Sequence, residues 1–143
     1  VYGPWGRPDM ALYIFADAIM NGRSIEVFNH GDMKRDFTFV DDIVTGVVAA
    51  HDNPPTTSDG APHRVYNIGN HRSEPLMRLI EILENALGRK AEVHMKPMQL
   101  GDVKESFADI DAIRNDLGFE PTTPIDVGVP KFVEWFKAYN GYD

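Results

Sequence analysis

The sequence predicts an α/β or α+β domain in which short strands and helices intermix, with parallel or mixed strand pairing left open. Three observations carry this. Apolar residues recur at helical spacing in separate segments, short β-rich stretches lie between those segments, and no internal period joins them into a repeat. A chain of 143 residues, 43% hydrophobic and 25% charged, makes one domain long enough to bury a core.

Taken in order, Gly3, Pro4, Gly6 and Pro8 punctuate a loop, and Pro8 suits the first turn of a helix. The recurrence of Leu12, Phe15, Ala16 and Ile19 predicts a helix over Asp9–Met20, stopped by Asn21-Gly22. Ile25–Phe28 reads as a strand, and His30-Gly31-Asp32 as the turn of a hairpin into the next stretch. That stretch, Met33–Asp42, is the centre of the chain. Phe37-Thr38-Phe39 alternates as a half-buried strand, and Asp41 or Asp42 is placed to cap the following helix. The helix runs to His51 and is expected to turn Ile43, Val44, Val47 and Val48 inward.

Asn53–His63, rich in Pro, Thr, Ser and Asp, reads as a flexible loop, and Arg64–Gly69 as a buried strand. Glu74–Leu87 is a strongly amphipathic helix with Leu76, Leu79, Ile80, Leu83 and Leu87 on one stripe and Gly88 as its stop. Ala91–Lys96 alternates as a strand, Met98–Val103 is a loop, and Phe107-Ala108 is extended. Asp109 is placed to cap a helix ending at Leu117-Gly118. Thr123 or Asp126 starts the last helix, which buries Val129, Phe132, Val133 and Phe136, with Tyr139 following.

Charge narrows the function. A net charge of −8 argues against nucleic acid as a partner, because phosphate backbones select basic faces. With no cysteine, disulfides and thiolate metal sites are excluded. No membrane-length apolar run and no signal segment is visible, which favours the cytoplasm. The chain opens at Val1 on a strand end running into a turn, so a longer protein is expected.

G-x-G-x-x-G, G-x-S-x-G and G-K-[ST] do not occur, and the five histidines lack metal-ligand spacing. The chemistry that remains is that of a ligand surface. Arg7 stands in a Gly/Pro loop, Arg35 at a strand start and Asp102 in a glycine-containing loop. Arginine suits bidentate recognition of phosphate or carboxylate, an aspartate accepts sugar hydroxyls, and Phe28 offers a flat apolar face to a base. Each also has a plainer reading, Phe28 as core and the others as solvated charges.

VYGPWGRPDMA, KRDFTFVDDIV, YNIGN and GDV-x-x-S-F-A-D, in that order, resemble the extended short-chain dehydrogenase/reductase family, nearest to UDP-glucuronate 4-epimerases. The resemblance implies that the chain is the smaller C-terminal, nucleotide-sugar-binding domain, residues 1–8 being the tail of an N-terminal Rossmann domain. That domain would hold NAD and the Tyr-x-x-x-Lys pair, and none of Tyr2, Tyr13, Tyr66, Tyr139 and Tyr142 has a basic residue four positions on. No catalytic residue and no metal ligand is therefore expected here, and the chain alone is expected to be inactive and not to bind NAD.

By resemblance, Arg35 contacts the diphosphate, Phe28 flanks uracil, Asp102 reaches the ribose, Arg7 lies near the sugar carboxylate and Tyr2 borders the nicotinamide. The implied reaction is C4 oxidation of a UDP-sugar and its reduction from the other face, in an intact enzyme expected to be a homodimer. Two departures from the family pattern are Gln99, where many relatives carry arginine, and Leu100, where proline is usual. The alternatives are another nucleotide-sugar epimerase, a 4,6-dehydratase, or a non-catalytic nucleotide-binding or interaction module.

Overall fold

The computed structural model describes residues 1–56 and 60–142. Thr57, Ser58 and Asp59, inside the expected flexible loop, lie outside the described residues, as does Asp143. The elements are α1 (Ala11–Met20), β1 (Ile25–Val27), a 3-10 turn (Phe28–Gly31), β2 (Lys34–Arg35), α2 (Val40–Asp52), β3 (Glu74–Pro75), α3 (Leu76–Leu87), β4 (Val93–Met95), α4 (Asp111–Leu117) and α5 (Ile125–Asn140).

The core lies where α3 packs against α5 and α1. The stripe that predicts α3 supplies Leu79, Ile80, Leu83 and Leu87, and α5 answers with Val129, Phe132, Val133 and Phe136. Burying side chains of this size stabilises the fold by about 1.5–3 kcal/mol each. A second, smaller cluster of Ile110, Ile113 and Phe119 sits under Tyr66 and Ile68. Strand pairing is mixed: β1 runs parallel to β4 with Ile25 opposite Val93, and β2 antiparallel to β3 with Arg35 opposite Glu74. The mixed α/β class therefore holds.

Several elements differ from expectation. The hairpin from β1 into Met33–Asp42 does not form. Asn29 and His30 take left-handed backbone, φ 49° and 51°, and the His30 N–H donates to the Lys96 carbonyl at 3.0 Å. The chain thus leaves β1 on the side of β4 and does not double back. Gly31 completes the turn at φ 83°, and a Cβ there would stand 2.8 Å from Met77 Sδ.

Phe37–Phe39 is likewise no ladder strand. The ladder lies earlier, at Lys34–Arg35, while Phe39 makes one isolated parallel bridge with Tyr2. Residue Phe39 precedes α2 without a side-chain cap, and Asp41 and Asp42 both lie in its first turn. Asp42 is buried and turns away from its own helix. Its Oδ1 accepts from the Thr122 N–H and hydroxyl at 3.1 Å each, and its Oδ2 from the Thr123 N–H at 3.0 Å.

The expected inward face of α2 is the largest reversal. Val44, Val47 and Val48 are 53%, 53% and 49% exposed. The helix meets the rest of the chain on the side of Asp42 and Gly46, where a Cβ on Gly46 would lie 3.0 Å from Ile68. Arg64–Gly69 is not the buried strand expected: it pairs with no strand among the described residues, and Val65 is 69% exposed. Its hold is through side chains: Tyr66 and Ile68 enter the small cluster, and Arg64 and Tyr66 both donate to Asp116.

Other differences are small. Helix α1 begins at Ala11, α3 at Leu76 after β3, and α5 at Ile125 after Pro124, neither Thr123 nor Asp126 being its first residue. Asp109 stands one residue outside the cap of α4, where its Oδ1 accepts the Asp111 N–H at 2.9 Å. No helix among the described residues is long and apolar enough to cross a membrane.

Candidate functional site

A cleft of about 500 Å3 opens between α1, β1, β2 and the Met98–Val103 loop. Its floor is apolar, from Phe15, Ile25, Met33 and Leu76, and Phe28 and Phe37 stand among its walls. The parallel pairing of β1 with β4 carries the chain straight into the turn that begins with Phe28. The antiparallel pairing of β2 with β3 sets Arg35 on the same cleft. Asp102 completes the lining. Phe28, Arg35 and Asp102, three residues the sequence singles out separately, thus share one cavity.

Arg35 is tightly framed. Its Nη1 donates to the carbonyls of Lys34 at 2.8 Å and Lys104 at 3.3 Å, and its Nη2 to Asp102 Oδ1 at 2.6 Å. The pair is partly buried, the side chains being 27% and 33% exposed. Asp102 Oδ1 also accepts the Val103 N–H at 2.8 Å. The segment after this loop is fastened to β2, with the Lys34 N–H donating to the Lys104 carbonyl at 2.9 Å and Glu105 bridging to Lys34.

Arg7 lies elsewhere. It lines a second cleft of about 360 Å3, formed by Val1–Arg7 with Met10 and Val40. Its exposed guanidinium is held by Asp9, Nη2 to Oδ2 at 2.5 Å. This hydrogen-bonded pair raises the pKa of Arg7 and lowers that of Asp9. Asp9 itself stands on the edge of the Arg35 cleft, which makes it the residue joining the two hollows.

Tyr2 is in the core. Its N–H donates to the Thr38 carbonyl at 2.9 Å, its carbonyl accepts the Val40 N–H at 2.8 Å, and its ring meets Phe39 edge-on at 5.5 Å. The hydroxyl is buried without a partner, pressed where Gly128 has no side chain. Burial first, and then the charges of Asp42 and Asp126, push the phenol far above its ordinary value of 10.

Two supports were not singled out as site residues in the sequence. Asp36 is a hub beside Arg35: its Oδ1 accepts from the Thr38 hydroxyl at 3.0 Å and the Asn70 N–H at 2.8 Å. Its Oδ2 accepts from the His71 N–H at 3.1 Å and the Ala108 N–H at 2.9 Å. Gly69 is required there, since a Cβ would lie 2.5 Å from Ala108 and 3.0 Å from Asp36. An acidic residue between a basic and an aromatic one was the available signal. The other support is Trp5, whose left-handed backbone at φ 62° is strained for a bulky residue. Its ring packs against Trp135 and Tyr139 of α5 at 5.6 and 5.4 Å, pinning the loop that carries Arg7. No cluster of potential metal ligands occurs among the described residues.

Comparison with known proteins gives a consistent result. Residues 1–69 match the NAD-dependent epimerase/dehydratase family. Protein CapI of Staphylococcus aureus is 45% identical, the match covering 97% of this chain and 45% of that protein. UDP-glucuronate 4-epimerase 6 of Arabidopsis thaliana is 44% identical, over 99% of this chain and 33% of that protein. The structure of UDP-glucuronic acid 4-epimerase from Bacillus cereus, in complex with UDP-glucuronic acid and NAD, superposes with a TM-score of 0.84 at 29% identity, covering 96% of this chain and 43% of that one. The chain thus spans less than half the length of these relatives.

Proposed function

For a chain of the extended short-chain dehydrogenase/reductase family, UDP-glucuronate 4-epimerase-like in sequence and fold, we propose a role as the nucleotide-sugar-binding part of an NAD-dependent UDP-glucuronate 4-epimerase. The observation that carries this is the shared cleft of Phe28, Arg35 and Asp102. An apolar hollow in which one partly buried cation, Arg35, stands among the carboxylates of Asp9, Glu26 and Asp102 can take a ligand with a flat base, a ribose and a diphosphate. Phe28 flanks the base, Arg35 binds the diphosphate and Asp102 accepts from the ribose hydroxyls. A largely apolar floor excludes water from these contacts and strengthens each of them.

In this reading NAD is not held by the residues of this chain. The chain has no glycine-rich phosphate loop, and the Tyr2 hydroxyl is turned into the core. NAD, held in this proposal by an N-terminal Rossmann domain, would supply the oxidation and re-reduction at C4. This chain holds and orients the sugar nucleotide and is inactive alone. A second reading has its own support: Arg7 is paired with Asp9 and lies outside the Arg35 cleft, so the free protein shows no cation committed to a sugar carboxylate. A neutral nucleotide-sugar, taken by an epimerase or a 4,6-dehydratase, fits that arrangement.

Calorimetric titration of UDP into the chain and into Arg35→Ala tests the binding role. The expected loss is about 1.5–3 kcal/mol, the value of a hydrogen bond to a charged group. An unchanged dissociation constant removes Arg35 from the site. Discrimination between the two readings falls to Arg7→Ala, which should weaken UDP-glucuronate far more than UDP-glucose; equal losses favour the neutral sugar.

A further inference from the structure

The residues assigned to the diphosphate and to the ribose are bonded to each other in the free protein. Arg35 Nη2 donates to Asp102 Oδ1 at 2.6 Å, and both side chains are partly buried. The other terminal nitrogen of Arg35 is spent on two backbone carbonyls, of Lys34 and Lys104, which are tied to each other by the Lys34 N–H to Lys104 carbonyl hydrogen bond. Asp102 is the one partner carried on a loop side chain. Gly101 beside it has left-handed backbone at φ 82°, and Leu100 is fully exposed, so little packs against this turn.

Resting on the reading of this cleft as a UDP-sugar site, we propose that Asp102 is a specificity-determining residue that makes the nucleoside and diphosphate halves of the ligand bind only as a unit. Asp102 is the counter-ion of Arg35 until a phosphate replaces it, and that exchange frees its carboxylate for the ribose. Uridine, with no phosphate, has to draw Asp102 away from a half-buried guanidinium and leave that cation unpaired, which is costly. Inorganic pyrophosphate takes Arg35 but leaves the Asp102 carboxylate without its counter-ion, held only by the Val103 N–H, beside the ligand's own negative charge. A nucleoside diphosphate satisfies both groups at once.

The test uses the 143-residue chain, with uridine, inorganic pyrophosphate and UDP titrated into wild type and Asp102→Asn and followed by amide chemical shifts. Asparagine keeps the size of the side chain and an oxygen for the Val103 N–H. The proposal expects pyrophosphate to bind Asp102→Asn about fivefold more tightly than wild type, the upper end for a half-exposed ion pair. It also expects the preference for UDP over pyrophosphate to shrink in the variant. Pyrophosphate affinity that is unchanged or weaker in Asp102→Asn overturns the exchange, because Asp102 then merely props Arg35 in place. Should the asparagine variant fail to fold, Asp102→Glu replaces it: it keeps the competing charge, so pyrophosphate affinity must stay near wild type, and a fivefold gain would contradict the proposal. Absence of UDP and pyrophosphate binding from wild type, or binding that Arg35→Ala leaves intact, defeats the underlying site reading and is distinguishable from either result.

Discussion

Single carboxylates hold this site together more than its cations do. Asp36 accepts four hydrogen bonds from three segments, two of them the lead-ins to His71 and Ala108. Asparagine there would set an amide N–H2 against backbone donors. We expect Asp36→Asn to lower stability by about 2–3 kcal/mol in urea denaturation, and a loss under about 0.5 kcal/mol would refute the hub. Tyr2 predicts the opposite sign. Its hydroxyl is buried without a partner, so Tyr2→Phe should leave stability unchanged or raise it by about 1 kcal/mol. Since the folded phenol titrates far above its ordinary 10, the stability this protonated form contributes is fully present below pH 10 and is lost as pH rises beyond it. Ultraviolet titration should therefore show one of the five tyrosines ionising only as the protein unfolds at alkaline pH. The sequence identified Arg35 and Asp102 but not their mutual bond, because a contact across 67 positions leaves no local pattern.

Among elements, periodicity was readable where one face was apolar and one polar, and misleading where it was not. Helix α3 shows the first case: its stripe is the core, and Leu83→Ala should cost about 2–5 kcal/mol. Helix α2 shows the second. Val44, Val47 and Val48 form an apolar stripe that the described residues leave exposed, so Val47→Ser should change stability by no more than about 0.5 kcal/mol. A large loss at Val47 measured in the same denaturation series would place that face back in the core. Hairpin and strand expectations failed for a related reason. Turn residues such as His30-Gly31 are compatible with several exits, and β1 found its neighbour at β4, far along the chain. A lone β-rich run such as Arg64–Gly69 becomes a strand only where another backbone lies beside it.

At the scale of the whole molecule, the mixed fold class, the location of the core and the ordered motifs were legible in the sequence. The division into two hollows was not. Arg35, Phe28 and Asp102 line one, Arg7 lines the other, and Asp9, which also lines the first, is bonded to Arg7. In the proposed reading the nucleotide binds in the first hollow and the choice of sugar falls to the second. In the proposed division of labour NAD is held by a separate domain, so calorimetry of NAD into the chain should show no saturable binding, and a saturable isotherm would overturn it.

The most direct measurement is a crystal structure of the chain soaked with UDP. The account predicts the nucleotide in the cleft of about 500 Å3, its diphosphate within hydrogen-bonding distance of Arg35 and its base against Phe28. Asp102 should have moved from Arg35 to the ribose. UDP seated in the hollow of Val1–Arg7, with Arg35 and Asp102 still bonded to each other, would contradict it.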